Sequence, residues 1–248
     1  MQKYGLIGFP LSHSFSRRFF TAYFADNAID AEYLNFEISD ISLLPSVIHE
    51  HPELTGFNVT IPYKEVVISY LDSCDPNAAA IKAVNTVKID RSNGKIQLKG
   101  FNTDLIGFHD SILPLLKPHH RKALVLGTGG ASKAIVAALK DLSIIPQLVS
   151  REAKSGISIS YAQLTKEIME EFTVVINTTP LGTYPKTEGY PDIPYEFLGK
   201  NHLLFDLVYN PPVTRFLQKG ADRGATTKNG SDMLELQALA AWKIWTEE

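Results

Sequence analysis

Short apolar runs alternate with amphipathic stretches along the whole chain. Residues 4–8, 33–38 and 56–59 read as strands. Between them, 17–27 carries Phe19, Phe20, Tyr23 and Phe24 on one helical face. Ser39 and Asp40 precede a helix over 41–49, and Pro62 stands near the first turn of another that starts at 61–64. Residues 83–89 and 96–98 form a hairpin around Asn93-Gly94, a strong turn signal. A helix over 105–116 follows.

The second half repeats the alternation. Residues 123–126 are apolar and uncharged, and Ala134, Ile135, Ala138, Leu139 and Leu142 share one face of a helix over 132–142. Residues 147–150, 172–177 and 203–208 are further strands. Residues 157–164 are short and polar, without a convincing full helix, and 184–194 is a loop rich in Pro, Tyr and Gly. A helix over 214–219 is ended by Gly220. Lys228-Asn229-Gly230 is a turn, and Ser231 caps a last helix over 232–245, with Leu234, Ala238, Ala241 and Trp245 on one face. Strands alternating with helices predict an α/β fold with mostly parallel sheets.

Composition narrows the class. The 248 residues are 44% hydrophobic, enough for real cores in one large or two modest domains. The net charge of −3 gives no support to nucleic-acid binding. The single cysteine, Cys74, excludes an internal disulfide and fits a reducing cytoplasm. Met1 runs straight into an apolar strand without the segments of a signal peptide, and no apolar run approaches membrane-spanning length. The expectation is a cytoplasmic protein acting on a small molecule, without nucleic-acid or membrane partners, as a monomer or homodimer. No His, Cys or carboxylate grouping has the spacing of a metal site.

Candidate chemistry begins at Gly127-Thr128-Gly129-Gly130-Ala131-Ser132. A strand, a glycine turn and a helix N-terminus cradle a phosphate, because glycine backbone approaches closely and unpaired N–H groups face the anion. Gly127 and Gly129 fit the Gly-x-Gly-x-x-Gly dinucleotide fingerprint, and Ser132 holds the third place. At the end of the next strand stand Ser150 and Arg151, with Lys154 close behind. Arg there suits the additional phosphate of NADP, whereas NAD enzymes carry Asp or Glu; Glu152 between the two cations opposes a phosphate if it points inward. Asn177, Thr178 and Thr179 close a later strand and either line the cofactor or form a turn.

Three polar clusters lie at strand ends in the first half: Ser14 with Ser16; Asn58 to Lys64; and Asn85-Thr86 with Asn102-Thr103-Asp104. Each has a bland alternative. Ser14, Ser16 or the 102–104 group is a helix cap, and Lys64 is a solvated surface charge. Asn58 and Asn85 are poor strand residues, which argues for specific hydrogen bonding.

Six motifs in order resemble the shikimate dehydrogenase family: His13-Ser14-Phe15-Ser16, Asn58-Val59-Thr60-Ile61-Pro62-Tyr63-Lys64, Ala83-Val84-Asn85-Thr86, Gly100-Phe101-Asn102-Thr103-Asp104, Gly127-Thr128-Gly129-Gly130-Ala131, and Met233-Leu234-Glu235-Leu236-Gln237-Ala238. The resemblance implies a substrate domain over 1–103 plus 231–248 and a Rossmann-like domain over 104–230, the last helix returning to the first domain. It implies reduction of 3-dehydroshikimate to shikimate with NADPH. Ser14, Ser16 and Tyr209 would hold the substrate carboxylate, and Asn58, Thr60, Asn85 and Gln237 its hydroxyls. Lys64 and Asp104 would be catalytic, with the proton carrier left open between them. The cofactor would rest on Gly127, Thr128, Gly129, Gly130, Ala131, Ser150, Arg151, Lys154, Asn177, Thr178, Thr179, Val208 and Gly230. Arg17 stands where the family often has Pro, and the segment after Arg151 is shorter than usual. Two rivals remain: a quinate or dual-specificity dehydrogenase, and a non-catalytic NADP-binding regulatory module.

Overall fold

The computed structural model describes residues 1–11, 14–92 and 94–247. His13 of the serine motif and Asn93 of the hairpin turn lie outside the described residues. Contacts divide the chain into two compact units, Met1–Ile106 with Gln237–Glu248, and Gly107–Leu236.

The first unit holds β1 (Gln2–Gly8), α1 (Phe15–Asp26), β2 (Ala31–Glu37), α2 (Leu44–Glu50), β3 (Leu54–Val59), β4 (Ser73–Cys74), α3 (Pro76–Ile81), β5 (Thr86–Asp90) and β6 (Gln97–Phe101). Its sheet runs β2-β1-β3-β5-β6-β4. β1 pairs in parallel with β2 and β3, β4 in parallel with β6, and β5 antiparallel with both β3 and β6. The predicted hairpin is the β5–β6 pair. Both faces of the sheet are covered. Ile7, Leu44, Phe57, Val59 and Val67 pack on one side. Tyr4, Leu6, Phe20, Phe24, Ala238 and Trp245 pack on the other. Trp245 Nε1 donates to the Val87 carbonyl at 3.0 Å, across Gly56, where a Cβ would collide with the indole. The end of the last helix is thereby fixed on the first sheet.

The second unit contains β7 (Lys122–Leu126), α5 (Gly130–Asp141), β8 (Ile145–Ser150), β9 (Ser158–Ser160), α6 (Lys166–Glu171), β10 (Val174–Asn177), β11 (Leu203–Asp206), α7 (Arg215–Ala221) and β12 (Thr226–Lys228). α4 (Thr103–Ile112) and α8 (Ser231–Thr246) each have residues in both units. The second sheet is parallel throughout, in the order β12-β11-β10-β7-β8-β9. Counted from β7 this is 3-2-1-4-5-6, the doubly wound order of dinucleotide-binding sheets. Ala123, Leu124, Val125 and Leu126 are all fully buried, as a central parallel strand requires.

Several elements differ from the reading of the sequence. No helix starts at 61–64; turns lead into a short 3-10 helix over Val66–Tyr70. Val66, Val67 and Ile68 are β-branched and weak helix formers. Tertiary bonds hold the segment instead: Tyr63 OH donates to the Ile38 carbonyl at 2.7 Å, and Val84 N to the Lys64 carbonyl at 2.7 Å. The 41–49 helix is divided into a 3-10 turn, Ile41–Leu43, and α2. Gly220 does not end α7. It lies within the helix, where a Cβ would run into Leu204, and the left-handed residue beyond the helix is Gly224 at φ +80°. Ser231 is the first residue of α8 rather than its cap. The polar 157–164 segment supplies the edge strand β9.

Candidate active site

The first polar constellation gathers at the end of β3, the start of β5 and the N-terminus of α4. Asn102 precedes α4, and its Oδ1 accepts from Leu105 N at 3.2 Å, so Asn102 is the helix cap. That frees Asp104, in the first turn of the helix, for another task. Lys64 Nζ donates to Asp104 Oδ2 at 2.6 Å. The pair is partly shielded, with side chains 20% and 13% exposed, so Lys64 is not a solvated surface charge. Asn85 Nδ2 donates to the other carboxylate oxygen, Oδ1, at 2.9 Å. Asn85 is itself anchored, its Oδ1 accepting from Thr103 N at 2.7 Å. The carboxylate is thus held on both oxygens, and its partner ammonium keeps two of its three hydrogens.

Asn58 completes the cluster. Its Nδ2 donates to the Asn85 carbonyl at 3.2 Å and to Thr86 Oγ1 at 3.1 Å. Its Oδ1 accepts from Tyr33 OH at 2.7 Å. Gln237 Oε1 lies 3.5 Å from Asn85 Nδ2 and from Thr103 Oγ1. At 7% exposure Gln237 is buried. Ser14 caps α1, its Oγ accepting from Arg17 N at 3.1 Å. Ser16 lies in the first turn of α1, and burial pushes the Tyr33 phenol well above the usual tyrosine range. Thr60 follows β3, its N–H donating to the Ile7 carbonyl at 2.9 Å. Sequence reasoning placed Thr86 and Thr103 in the third polar cluster without assigning them a role, and missed Tyr33 as a member of this network. The available signal was Tyr33 itself, a polar-tipped ring at an inward strand position where Phe would pack as well.

The second constellation lies at the topological switch point of the parallel sheet, between β7 and β10. Gly127 takes φ +112°, a conformation other residues avoid, and a Cβ there would stand 2.7 Å from Thr178 Oγ1. Thr178 Oγ1 in turn donates to the Leu126 carbonyl at 2.7 Å. Gly129 precedes α5 in extended conformation, and nothing lies within 4 Å of its missing Cβ. Gly130 and Ala131 begin α5, and Thr128 is exposed between Gly127 and Gly129. Ser132 is buried, its Oγ donating to the Gly129 carbonyl at 2.6 Å. The third fingerprint position therefore still permits close packing and also fastens the turn.

Asn177 ends β10, and its Oδ1 accepts from Thr179 N at 3.0 Å and Thr179 Oγ1 at 2.6 Å. Its Nδ2 donates to Asp206 Oδ1 at 2.9 Å. Asp206 also accepts from Val208 N at 3.0 Å and Thr214 Oγ1 at 2.5 Å. Burial pushes the Asp206 carboxyl up to about 6, with the bonds from Thr214, Val208 and Asn177 opposing. This network brackets the loop that carries Tyr209. Ser150 Oγ lies 2.8 Å from Ser158 Oγ, and Lys154 N donates to the Ser158 carbonyl at 3.0 Å, closing the short connection that holds the exposed Arg151 and Lys154. Gly230 N donates to the Val208 carbonyl at 3.3 Å.

A parallel sheet in dinucleotide order, with its glycine turn at the switch point, accompanies a lysine–carboxylate pair set among neutral hydrogen-bonding groups. These define an oxidoreductase of the dinucleotide-dependent class. Residues 6–87 match the shikimate dehydrogenase substrate binding domain. A shikimate dehydrogenase (NADP(+)) of Methanococcus maripaludis is 38% identical over 259 residues, spanning 98% of this chain and 91% of the relative. The crystal structure of shikimate dehydrogenase from Aquifex aeolicus is 34% identical with a TM-score of 0.86, covering 99% of this chain and 92% of that one. The Thermus thermophilus enzyme, in complex with NADP(H) and shikimate, is 29% identical with a TM-score of 0.86, covering 99% and 94%. The chain belongs to the shikimate dehydrogenase family.

Proposed function

We propose that this chain interconverts 3-dehydroshikimate and shikimate with NADP(H), and that Lys64 and Asp104 manage the proton. The observation that carries this reading is the 2.6 Å Lys64–Asp104 pair with Asn85 on the second carboxylate oxygen.

The switch-point residues fit the cofactor: the extended Gly129 leaves open space where a side chain would stand, and the N-terminus of α5 offers unpaired N–H groups to a pyrophosphate. Arg151 and Lys154 supply cations for the phosphate that distinguishes NADP. Bound NADPH supplies the hydride that reduces the ketone.

Reduction makes an alkoxide, which needs a proton and a nearby positive charge. The Lys64 ammonium offers both, and Asp104 holds it in place. Asn85 prevents the carboxylate from turning away. Ser14, used as an acceptor in capping α1, keeps its hydroxyl hydrogen for a substrate carboxylate, and the positive end of α1 favours that anion. Ser16 assists there. Asn58, Thr60, Asn85 and Gln237 supply the mixed donors and acceptors that hydroxyl groups require.

The test is oxidation of shikimate by the purified protein, followed through the absorbance of reduced nicotinamide, with quinate and NAD as the competing substrate and cofactor. Higher kcat/KM with quinate than with shikimate would reassign the substrate.

A further inference from the structure

Tyr33 is 3% exposed on β2 and stacks on Phe20 with ring centroids 4.7 Å apart, while the Trp245 ring flanks it at 6.5 Å. Phenylalanine would satisfy all of that packing. The hydroxyl is the part that packing does not explain, and it reaches Asn58 Oδ1 at 2.7 Å. A buried phenol must place its proton, and here the recipient is a residue of the proposed substrate site.

The consequence is an orientation. An asparagine amide presents an oxygen on one side and two N–H groups on the other, and a flip exchanges them. Asn58 sends its two N–H hydrogens to the Asn85 carbonyl and Thr86 Oγ1. Its oxygen keeps one lone pair after accepting from Tyr33, so the group it offers a ligand is an acceptor. Burial raises the phenol far above neutrality, so the donor persists over the whole working pH range.

We infer that Tyr33 is a positioning residue for substrate recognition, orienting Asn58 as a hydroxyl acceptor. It does not touch the reacting atoms. The inference rests on the reaction proposed above and adds to it a residue that orients one of its hydroxyl-binding groups.

Tyr33→Phe keeps every ring contact and removes one hydrogen-bond donor. The expected result is a rise in KM for shikimate of about tenfold, as for one lost buried hydrogen bond. KM for NADP should stay within about twofold, since the change is confined to the substrate side. In an Asn58→Ala background the same change should add less than about twofold, because its route to the substrate has gone. An unmoved KM for shikimate, equal rises in both KM values, or a full effect in the Asn58→Ala background would overturn the assignment. A wild-type chain without turnover on shikimate overturns the reaction and this role with it. An active wild type with an unaltered Tyr33→Phe variant overturns Tyr33 alone.

Discussion

Lys64 Nζ stands 2.6 Å from Asp104 Oδ2, joining a turn after β3 to the first turn of α4 across 40 positions of sequence. Neither residue's local setting requires the other. Asn102 already caps α4, and the Lys64 backbone is held by Val84. The helix therefore does not need the pairing, which fits the proton-handling role proposed for it. Lys64→Ala should lower kcat by about 100-fold or more, the effect of removing a general acid. Asp104→Asn should also lower kcat, with KM for NADP unchanged. Near-normal turnover in Lys64→Ala would remove that lysine from the mechanism.

The two glycines of the dinucleotide turn should fail in different ways. Gly127→Ala forces a side chain into φ +112° and against Thr178. It should cost about 1–3 kcal/mol of stability, as strained backbone does. Gly129→Ala meets nothing in the protein and has ordinary φ of −80°, so its melting temperature should hold. Its methyl would occupy the space proposed for the pyrophosphate, and KM for NADP should rise about tenfold or more. Thermal melts and NADP titrations of both variants separate the effects; an unchanged NADP affinity in Gly129→Ala would contradict the assigned phosphate site.

Asp206 makes stability depend on pH. Burial raises its carboxyl from 3.8 to about 6. The folded state therefore favours the protonated form. That contribution is fully present below the unfolded value and is lost as pH rises through about 6. Over the window it amounts to about 3 kcal/mol. Asp206→Asn keeps an oxygen for Asn177 and Val208 and carries no charge. Relative to wild type, the variant should gain stability as pH rises from about 4 to above 6. Urea unfolding at the two ends of that range measures it, and a pH-independent difference between the proteins would refute the argument.

Much of the fold was legible because its signals were local. The apolar run before Gly127, the alternation of strands and helices, and the β5–β6 hairpin all rest on neighbouring residues. Asn58 and Asn85 were legible as poor strand residues in strands, and Lys64 and Asp104 through the motifs that resemble the family. Contacts distant in sequence were not. The 61–64 segment has a helix-starting proline, yet bonds from Tyr63 to Ile38 and from Val84 to Lys64 hold it in turns. Gly220 has the composition of a helix stop, but the close approach of Leu204 determines its place. Tyr33 looked like strand packing, because the residue that receives its proton lies 25 positions away.

The central claim is a substrate and cofactor pairing, and the most direct measurement is the specificity constant for shikimate and for quinate, each with NADP and with NAD. Shikimate with NADP should give the highest kcat/KM of the four. Absence of nicotinamide reduction with shikimate and NADP from neutral to alkaline pH would contradict the account.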